Sequence, residues 1–211
     1  MLLTSQRLPV LIEAIAQSIN DNAEEVTALD QAIGDGDHVI NLQRGIKALV
    51  AQSDELSGLD WSVAFKKVGM ILLTTMGGAS GSLFGTLFLS MSKATPSETL
   101  NLAQFSEIFT AGVEAVKQRG KAEAGEKTML DVLIPAANSL QQSAKETLSI
   151  EQALSALVPV TITGVESTRD MLATKGRASF LGERSLGHID AGAKTSQLMI
   201  CAIVEKLVNE T

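Results

Sequence analysis

Three aspartates lie close together in the sequence around two glycines. Asp30, Asp35 and Asp37 belong to the string Asp-Gln-Ala-Ile-Gly-Asp-Gly-Asp, which spans residues 30–37. Carboxylate oxygens are the ligands that a hard cation such as Mg²⁺ prefers, and proteins usually hold this ion together with the oxygens of a bound phosphate. The three residues therefore predict a magnesium site that handles a phosphorylated ligand.

The same segment has a second interpretation, as a turn between two helices. Gly34 can end one helix and Asp37 can cap the next, and neither role needs a metal. A calcium-binding EF-hand loop is excluded, because the sixth and twelfth positions counted from Asp35, which require glycine and glutamate, hold Ile40 and Ile46. On these residues alone the metal site and the turn both remain open.

A second cluster of small residues occupies residues 77–81, with the sequence Gly-Gly-Ala-Ser-Gly. Such a segment lets backbone amides approach a phosphate without obstruction, and it lies just before a helical stretch, whose N-terminus attracts anions. Close packing between two helices is the alternative role for small residues here. Both roles remain open from the sequence.

Two further glycine-rich segments follow. Residues 120–128 suggest a P-loop, but the position directly after the second glycine, where that motif requires lysine, holds Glu126, so a P-loop is excluded. Residues 175–193 form an irregular stretch with Arg177 and Asp190 among its glycines. Long irregular segments in compact domains are usually functional. This segment is predicted to form a lid over the site.

The composition limits the class of protein. The 211 residues are 45% hydrophobic, which is enough for one core, and we expect residues 1–211 to form one domain. Acidic side chains outnumber basic ones by 24 to 17, and the net charge of −7 argues against nucleic acid or an anionic membrane as partner. Metal ions would have to neutralise a bound polyphosphate. The sequence shows no membrane-spanning run and no signal peptide, so the predicted location is the cytoplasm.

Apolar residues recur at spacings of three and four along nearly the whole chain, which indicates α-helices. No segment alternates in the manner of a strand, so the predicted class is all-α. Helices are expected at residues 6–20, 23–33, 38–52, 60–76, 81–94, 102–118, 127–146, 150–174 and 193–209. The third of these begins at the aspartate cluster, so the positive end of its dipole would face the same space as the carboxylates.

Four glycine-rich segments occur in this order: Ile-Gly-Asp-Gly-Asp-His at 33–38, Gly-Gly-Ala-Ser-Gly at 77–81, Gly-Glu-Lys-Thr-Met-Leu-Asp at 125–131, and Lys-Gly-Arg-Ala-Ser-Phe-Leu-Gly-Glu-Arg at 175–184. Together they resemble the nucleotide-binding subunits of bacterial dihydroxyacetone kinases, over about residues 29–193. The resemblance implies a closed barrel of about eight antiparallel helices with a glycine-rich lid loop. It also implies ADP or ATP held at one end of the barrel through two magnesium ions.

The same resemblance assigns roles to individual residues. Asp30, Asp35 and Asp37 would bind the two magnesium ions. The nucleotide would be contacted by His38, Val39, Ile40, Asn41, Gly78, Ala79, Ser80, Gly120, Met129, Arg177, Asp190, Ala191 and Gly192. No residue of this chain is expected to act as a nucleophile, because the bound nucleotide itself carries the phosphoryl group.

Some of these roles can be stated more closely. Ser80 would contact phosphate, and His38 is favoured as a phosphate-contacting donor, whereas His188 is favoured as a structural residue of the lid. The chain has one tryptophan and no tyrosine, so apolar side chains such as Met129 are expected to meet the adenine. The family usually has proline where this chain has Ala191, which predicts a looser turn there.

The resemblance implies a phosphotransferase. In the form that depends on the phosphoenolpyruvate phosphotransferase system, the subunit keeps its ADP, and a phosphohistidine subunit rephosphorylates that ADP in place. The phosphoryl group then passes to dihydroxyacetone on a partner subunit. The implied partners are thus a dihydroxyacetone-binding kinase subunit and a phosphohistidine subunit. Two alternatives remain: the nucleotide subunit of an ATP-dependent dihydroxyacetone-type kinase, and a non-catalytic interaction protein that binds nucleotide.

Overall fold

A computed structural model describes residues 4–96 and 100–209 of the chain. Every element in these ranges is helical, which confirms the predicted all-α class. The α-helices are α1 (Leu8–Asp21), α2 (Ala23–Ile33), α3 (His38–Val50), α4 (Ser53–Ser57), α5 (Trp61–Thr75), α6 (Gly78–Ala94), α7 (Leu102–Gly120), α8 (Leu130–Lys145), α9 (Ile150–Ser167) and α10 (Ala191–Asn209). Short 3-10 helices occupy Ser5–Arg7, Thr168–Asp170 and Arg177–Ser185. None of the helices in these ranges combines the length and apolar character that a membrane span requires.

Eight of the described helices form a closed ring. α1 packs against α3, α3 packs against α5, and each helix from α5 to α10 packs against the next. α10 packs back against α1, which confirms the closed barrel that the resemblance implied. α2 lies against α10 and α3, and α4 lies against α1. Because connections such as the two residues between α5 and α6 are short, neighbouring helices of the ring run antiparallel.

The inner faces of the ring carry the apolar residues whose spacing indicated helices. Leu42, Ile46 and Leu49 of α3 are buried, and they share one core cluster with residues of α1, α5, α6, α7 and α8. α5 and α6 approach each other where a side chain would not fit. A Cβ atom at Gly69 would lie 3.0 Å from the carbonyl oxygen of Gly85. Small residues therefore have a packing role in this part of the barrel.

Four helices differ from the prediction by more than two residues. α6 begins at Gly78 instead of residue 81. α8 begins at Leu130 instead of residue 127, because Lys127 has a φ of +60°, which a right-handed helix cannot include. α9 ends at Ser167 instead of near residue 174, and the chain continues through a 3-10 turn to an extended backbone at Met171. The five-residue α4 was not predicted, because one helical turn is too short to show periodicity.

Four connections meet at one end of the barrel, because alternate connections of an antiparallel ring lie at the same end. They are residues 34–37, 76–77, 121–129 and 168–190. These connections carry Asp35 and Asp37 and parts of the other three glycine-rich segments, and Asp30 lies in the last turn of α2. Each leads into a helix, so the amino ends of α3, α6, α8 and α10 face this end. Backbone N–H groups in the first turns of these helices are suited to bind anions.

Candidate active site

A cavity of about 470 Å³ lies where the four connections meet, and this volume is within the range of small-molecule sites. Its wall includes the aspartate cluster and most of the nucleotide-binding residues that the resemblance implied. The predicted residues that line it are Asp30, Asp35, Asp37, His38, Asn41, Gly78, Ala79, Ser80, Gly120, Met129, Arg177, Asp190, Ala191 and Gly192. The fold therefore brings segments far apart in the sequence to one cavity.

Two predicted residues, Val39 and Ile40, do not line the cavity. Val39 is 4% exposed and belongs to the barrel core, whereas Ile40 is 66% exposed. Both lie in the first turn of α3, whose backbone N–H groups have no partners within the helix. Their side chains thus form no part of the wall, and a contact with a ligand would involve their backbone alone.

The three aspartates form a compact set of oxygen ligands. One carboxylate oxygen of each lies within 4.8 Å of those of the other two. The backbone N–H of His38 orients Asp30 by donating to Oδ2 at 3.1 Å. Gly34 leaves room for this carboxylate, since a Cβ atom there would lie 2.1 Å from Asp30 Oδ1. Clustered carboxylates repel one another, so the arrangement fits residues that bind a divalent cation.

The alternative role of Asp37, as a helix cap, does not agree with the geometry. Asp37 precedes α3, but its side chain makes no capping hydrogen bond, and its φ and ψ of −100° and −3° lie in the right-handed helical region. A stabilising N-cap residue normally has an extended backbone and accepts a hydrogen bond from the following turn. The Asp37 side chain is exposed. Its carboxylate is therefore available to a ligand.

Arg177 reaches the aspartate cluster from the connection between α9 and α10. Its Nη2 atom lies 2.7 Å from Asp35 Oδ2, and the two side chains are 70% and 32% exposed. Such an ion pair contributes about 1 kcal/mol or less to stability. Its importance is positional, because it brings the 3-10 helix that contains Arg177 to the cavity wall. That this segment acts as a lid stays a prediction.

His38 connects α3 with α6 and α10 through its imidazole ring. Nε2 lies 3.0 Å from Thr195 Oγ1, and Nδ1 lies 3.2 Å from Ser80 Oγ. Thr195 Oγ1 donates its proton to the Gly192 carbonyl oxygen, so Nε2 carries the ring hydrogen and Nδ1 accepts one from Ser80. Burial lowers the pKa of His38, although Asp30 and the other aspartates act in the opposite direction. A hydrogen bond from the ring to phosphate would have to replace one of these bonds.

The glycine cluster at 77–81 spans the start of α6 and has the packing role, whereas contact of its amides with a phosphate stays a prediction. A Cβ atom at Gly81 would lie 2.0 Å from the Met76 carbonyl oxygen, so this glycine allows close packing. A Cβ atom at Gly77 would lie 2.3 Å from Asn41 Oδ1, so this glycine leaves room for the Asn41 amide at the cavity wall. Arg44 Nη2 donates to Asn41 Oδ1 at 2.6 Å and fixes the orientation of that amide.

Another part of the wall is apolar. Met129 is buried, and Gly120 lies beside Leu83 and Ala122, since a Cβ atom at Gly120 would be 3.6 Å from Leu83 Cδ2 and 3.8 Å from Ala122 Cβ. All four residues line the cavity. An apolar wall of this kind can pack against the ring of a base without an aromatic side chain.

Residues 32–205 match the DAK2 domain. The chain belongs to the DAK2 family. It is 43% identical to the ADP-binding subunit DhaL of the PEP-dependent dihydroxyacetone kinase 1 of Listeria innocua, over 92% of each chain. It is also 43% identical to the DhaL subunit of the corresponding kinase of Escherichia coli, over 84% of this chain and 85% of that one. The DhaL subunit of the PTS-dependent kinase of Lactococcus lactis is 41% identical over 90% and 91% of the two chains.

A solved structure shares the fold of this DAK2 domain. The dihydroxyacetone kinase from C. freundii, in complex with AMP-PNP and Mg²⁺, superposes with a TM-score of 0.74 at 24% identity. The match covers 98% of this chain and 35% of that one, so the DAK2 chain spans about a third of the C. freundii protein. The helical barrel is therefore an architecture that has been observed in a crystal.

Five polar residues of the DAK2 domain line the cavity although the sequence did not single them out. They are Ser82, Arg119, Lys127, Thr128 and Lys175. Arg119 donates from Nε to Ser82 Oγ at 2.8 Å across the gap between α7 and α6. Arg119 directly precedes Gly120, a predicted nucleotide contact, and this position in the sequence could have drawn attention to Arg119. The string Glu-Lys-Thr, which was considered as part of a P-loop and as part of the family resemblance, could have drawn attention to Lys127.

The carboxyl group of Asp190 in the DAK2 domain has an unusually high pKa. Its Oδ2 accepts a hydrogen bond from the Ala193 backbone N–H at 2.7 Å, and its own backbone N–H donates to Thr168 Oγ1 at 3.1 Å. The residue keeps part of its surface towards the cavity, but protein encloses the carboxyl group. This burial raises the pKa of Asp190 to about 7, with a further contribution from Asp131, although the Ala193 bond and Lys127 oppose the change.

The stability of the ligand-free protein should therefore include a contribution that falls as the pH rises from about 4 to about 7. In this window folded Asp190 holds a proton that the unfolded chain releases, since the ordinary pKa is 3.8. The loss should be roughly 2 to 4 kcal/mol, and Asp190→Asn should remove it. Urea unfolding in EDTA at about pH 5 and about pH 8 gives the free energy of unfolding of the parent and of Asp190→Asn. Comparison with the variant separates Asp190 from other groups such as His38, and an identical pH dependence in the two proteins would contradict the assignment.

Proposed function

We propose that this DAK2 domain is the ADP-binding subunit of a PEP-dependent dihydroxyacetone kinase. The observation that carries the proposal is one cavity, at the amino ends of four helices, whose wall contains both the three carboxylates and an apolar part. Relatives with that name align over 84–92% of this chain and over a similar share of their own. The protein is accordingly a phosphotransferase subunit.

Asp30, Asp35 and Asp37 would hold two magnesium ions between their carboxylates and the phosphates of ADP. The donor set consists of oxygen atoms alone, as magnesium prefers, and its oxygens lie within 4.8 Å of one another. Bound magnesium neutralises phosphate charge and stabilises the charge that develops during phosphoryl transfer.

The residues of this chain would act by binding and orientation. The backbone of Ala79 and Ser80 lies in the first turn of α6 and would contact phosphate, while Met129 would border the adenosine. Arg177 and the turn at 190–192 would close over the nucleotide and exclude water. Phosphoryl transfer depends on positioning and charge stabilisation more than on a protein nucleophile, so such a site is sufficient for the reaction.

The reaction requires two partners. A dihydroxyacetone-binding kinase subunit would present the acceptor, and a phosphohistidine subunit of the phosphotransferase system would return a phosphoryl group to ADP. Both transfers would take place at the same cavity mouth, one after the other, in the cytoplasm. The competing assignment is the nucleotide subunit of an ATP-dependent dihydroxyacetone-type kinase, in which the nucleotide leaves after every turnover.

Retention of the nucleotide distinguishes the two assignments. The protein is loaded with radiolabelled ADP and Mg²⁺ and combined with a dihydroxyacetone-binding subunit, the phosphohistidine components and phosphoenolpyruvate. We expect the label to stay with the protein through many turnovers, because the nucleotide is recharged in place. If excess unlabelled ATP displaces the label rapidly and supports dihydroxyacetone phosphorylation alone, the ATP-dependent assignment is correct instead.

A further inference from the structure

Lys127 combines two unfavourable features at the edge of the cavity. Its side chain is 1% exposed, and no other lysine or arginine in residues 4–96 and 100–209 is buried. Its backbone has a φ of +60°, which is uncommon for a residue other than glycine. Burial of an ammonium group and a left-handed backbone both cost free energy. Such a residue persists only where its contacts compensate for this cost.

The contacts of Lys127 join the two ends of the connection between α9 and α10. Nζ donates to the carbonyl oxygen of Thr168 at 2.5 Å, at the start of this connection. Nζ also donates to the carbonyl oxygen of His188, close to its end. Burial lowers the pKa of Lys127, while Asp190 and Asp170 favour its charged form. One ammonium group thus satisfies two main-chain carbonyls that are twenty residues apart in the sequence.

The preceding residue holds the same connection at a third point. Glu126 Oε1 accepts a hydrogen bond from Thr174 Oγ1 at 2.8 Å and lies 3.4 Å from Lys175 Nζ. Two residues beyond Lys175, Arg177 forms its ion pair with Asp35. Glu126 and Lys127 therefore attach the loop at 121–129 to the connection that carries Arg177.

Main-chain geometry links Lys127 to the turn at 190–192 as well. Thr168, whose carbonyl accepts from Lys127, uses its hydroxyl oxygen to accept the backbone N–H of Asp190 at 3.1 Å. The side chain of Asp190 in turn accepts a hydrogen bond from the backbone N–H of Ala193 in the first turn of α10. Removal of the ammonium group would leave the carbonyls of Thr168 and His188 without this donor, and both lie beside the turn.

We propose that Lys127 is a positioning residue for the nucleotide, which fixes both ends of the 168–190 connection so that Arg177 and the 190–192 turn face the cavity. This inference rests on the proposed function, since it concerns how long ADP is held. The ammonium group acts through the protein and not through a contact with ADP, because its bonds are made to main-chain carbonyls.

The first test compares Lys127→Met with Lys121→Met, both loaded with ADP and Mg²⁺. Lys121 lies in the same loop with a φ of +49°, but its side chain is exposed, so it is a matched control. We expect Lys127→Met to release ADP at least about tenfold faster than the parent, as for residues that hold a closing segment, and Lys121→Met to release it at the parental rate. Equal release from Lys127→Met and the parent would overturn the inference.

Two measurements separate a positioning role from general damage. Hydrogen exchange in ADP-free protein should become faster in residues 171–187 of Lys127→Met, while the helices of the ring keep their protection. Binding of Mn²⁺ to the aspartate cluster, followed by electron paramagnetic resonance, should be unchanged. Loss of Mn²⁺ binding together with ADP would overturn the inference, because it would show that the whole site had been lost.

A double-mutant cycle with Arg177→Met tests whether Lys127 contacts the nucleotide itself. If Lys127 acts through the connection, its replacement should accelerate ADP release much less in Arg177→Met than in the parent. Accelerations that multiply would indicate an independent contact and would overturn the inference.

Two further results keep the test decisive. Should Lys127→Met fail to fold, Lys127→Arg replaces it, because arginine keeps the charge but alters the distances to the two carbonyls. Faster ADP release from this variant is then required, and release at the parental rate would overturn the inference. Parent protein that never binds ADP would refute the proposed function, whereas parent and Lys127→Met that hold ADP equally long would refute only the role of Lys127.

Discussion

Replacement of Asp37 by asparagine should reduce phosphoryl transfer by about 100-fold or more while leaving the helical content of the protein unchanged. Asparagine keeps the size of the side chain but removes the charge that a magnesium ion requires. The fold should not depend on this carboxylate, because it is exposed and makes no capping hydrogen bond to α3. Asp35→Asn should behave in the same way and should in addition lose the ion pair with Arg177.

The measurement is phosphorylation of dihydroxyacetone in the reconstituted system, together with circular dichroism of the metal-free proteins. Asp54→Asn is the matched control, because Asp54 is an exposed aspartate in α4, which belongs to the connection at the opposite end of the barrel. Its activity should equal that of the parent. A loss of helical signal in metal-free Asp37→Asn, relative to the metal-free parent, would show that the aspartate serves the helix and not a metal.

Removal of magnesium should have the second large effect. The carboxylates cannot approach the phosphates of ADP unless cations lie between them, so EDTA should release the nucleotide and lower the melting temperature. A ligand present at a thousand times its dissociation constant stabilises the native state by roughly 4 kcal/mol. For a protein of this size such a change corresponds to a shift of about 10 °C.

Differential scanning calorimetry of four samples gives the result: protein alone, with Mg²⁺, with ADP and EDTA, and with ADP and Mg²⁺. Only the last should melt at the higher temperature. The same shift with ADP and EDTA would mean that the nucleotide binds without metal, and four equal melting temperatures would contradict the site as a whole.

Periodicity alone predicted most of the helices but not their arrangement. α2 begins and ends at the predicted residues, and α7 begins at the predicted Leu102, because apolar spacing and the adjacent capping residues are local signals. The closed ring depends on which helices pack together, and only the resemblance to a known family implied it. The start of α8 and the end of α9 were wrong, because a left-handed residue at Lys127 and a 3-10 turn after Ser167 interrupt the helical backbone there.

The site was predictable where chemistry is visible in a short string of residues. Three aspartates around two glycines indicated oxygen ligands, and the structure brings them together at the cavity. Lys127 was missed because its partners are the main-chain carbonyls of Thr168 and His188, which any residue type would supply. The orientation of Val39 and Ile40 away from the cavity was missed for another reason: the rotation of α3 about its axis follows from packing against the whole ring.

The alternating direction of the ring helices has a consequence for the speed with which a nucleotide arrives. α3, α6, α8 and α10 begin at the site, whereas α2, α5, α7 and α9 end there. Opposed dipoles cancel at a distance, so the N–H groups attract an anion only within about one helical turn. The net charge of −7 meanwhile repels an approaching polyphosphate. ADP should therefore associate well below the diffusion limit, even with magnesium, and the cavity gains its affinity only after contact.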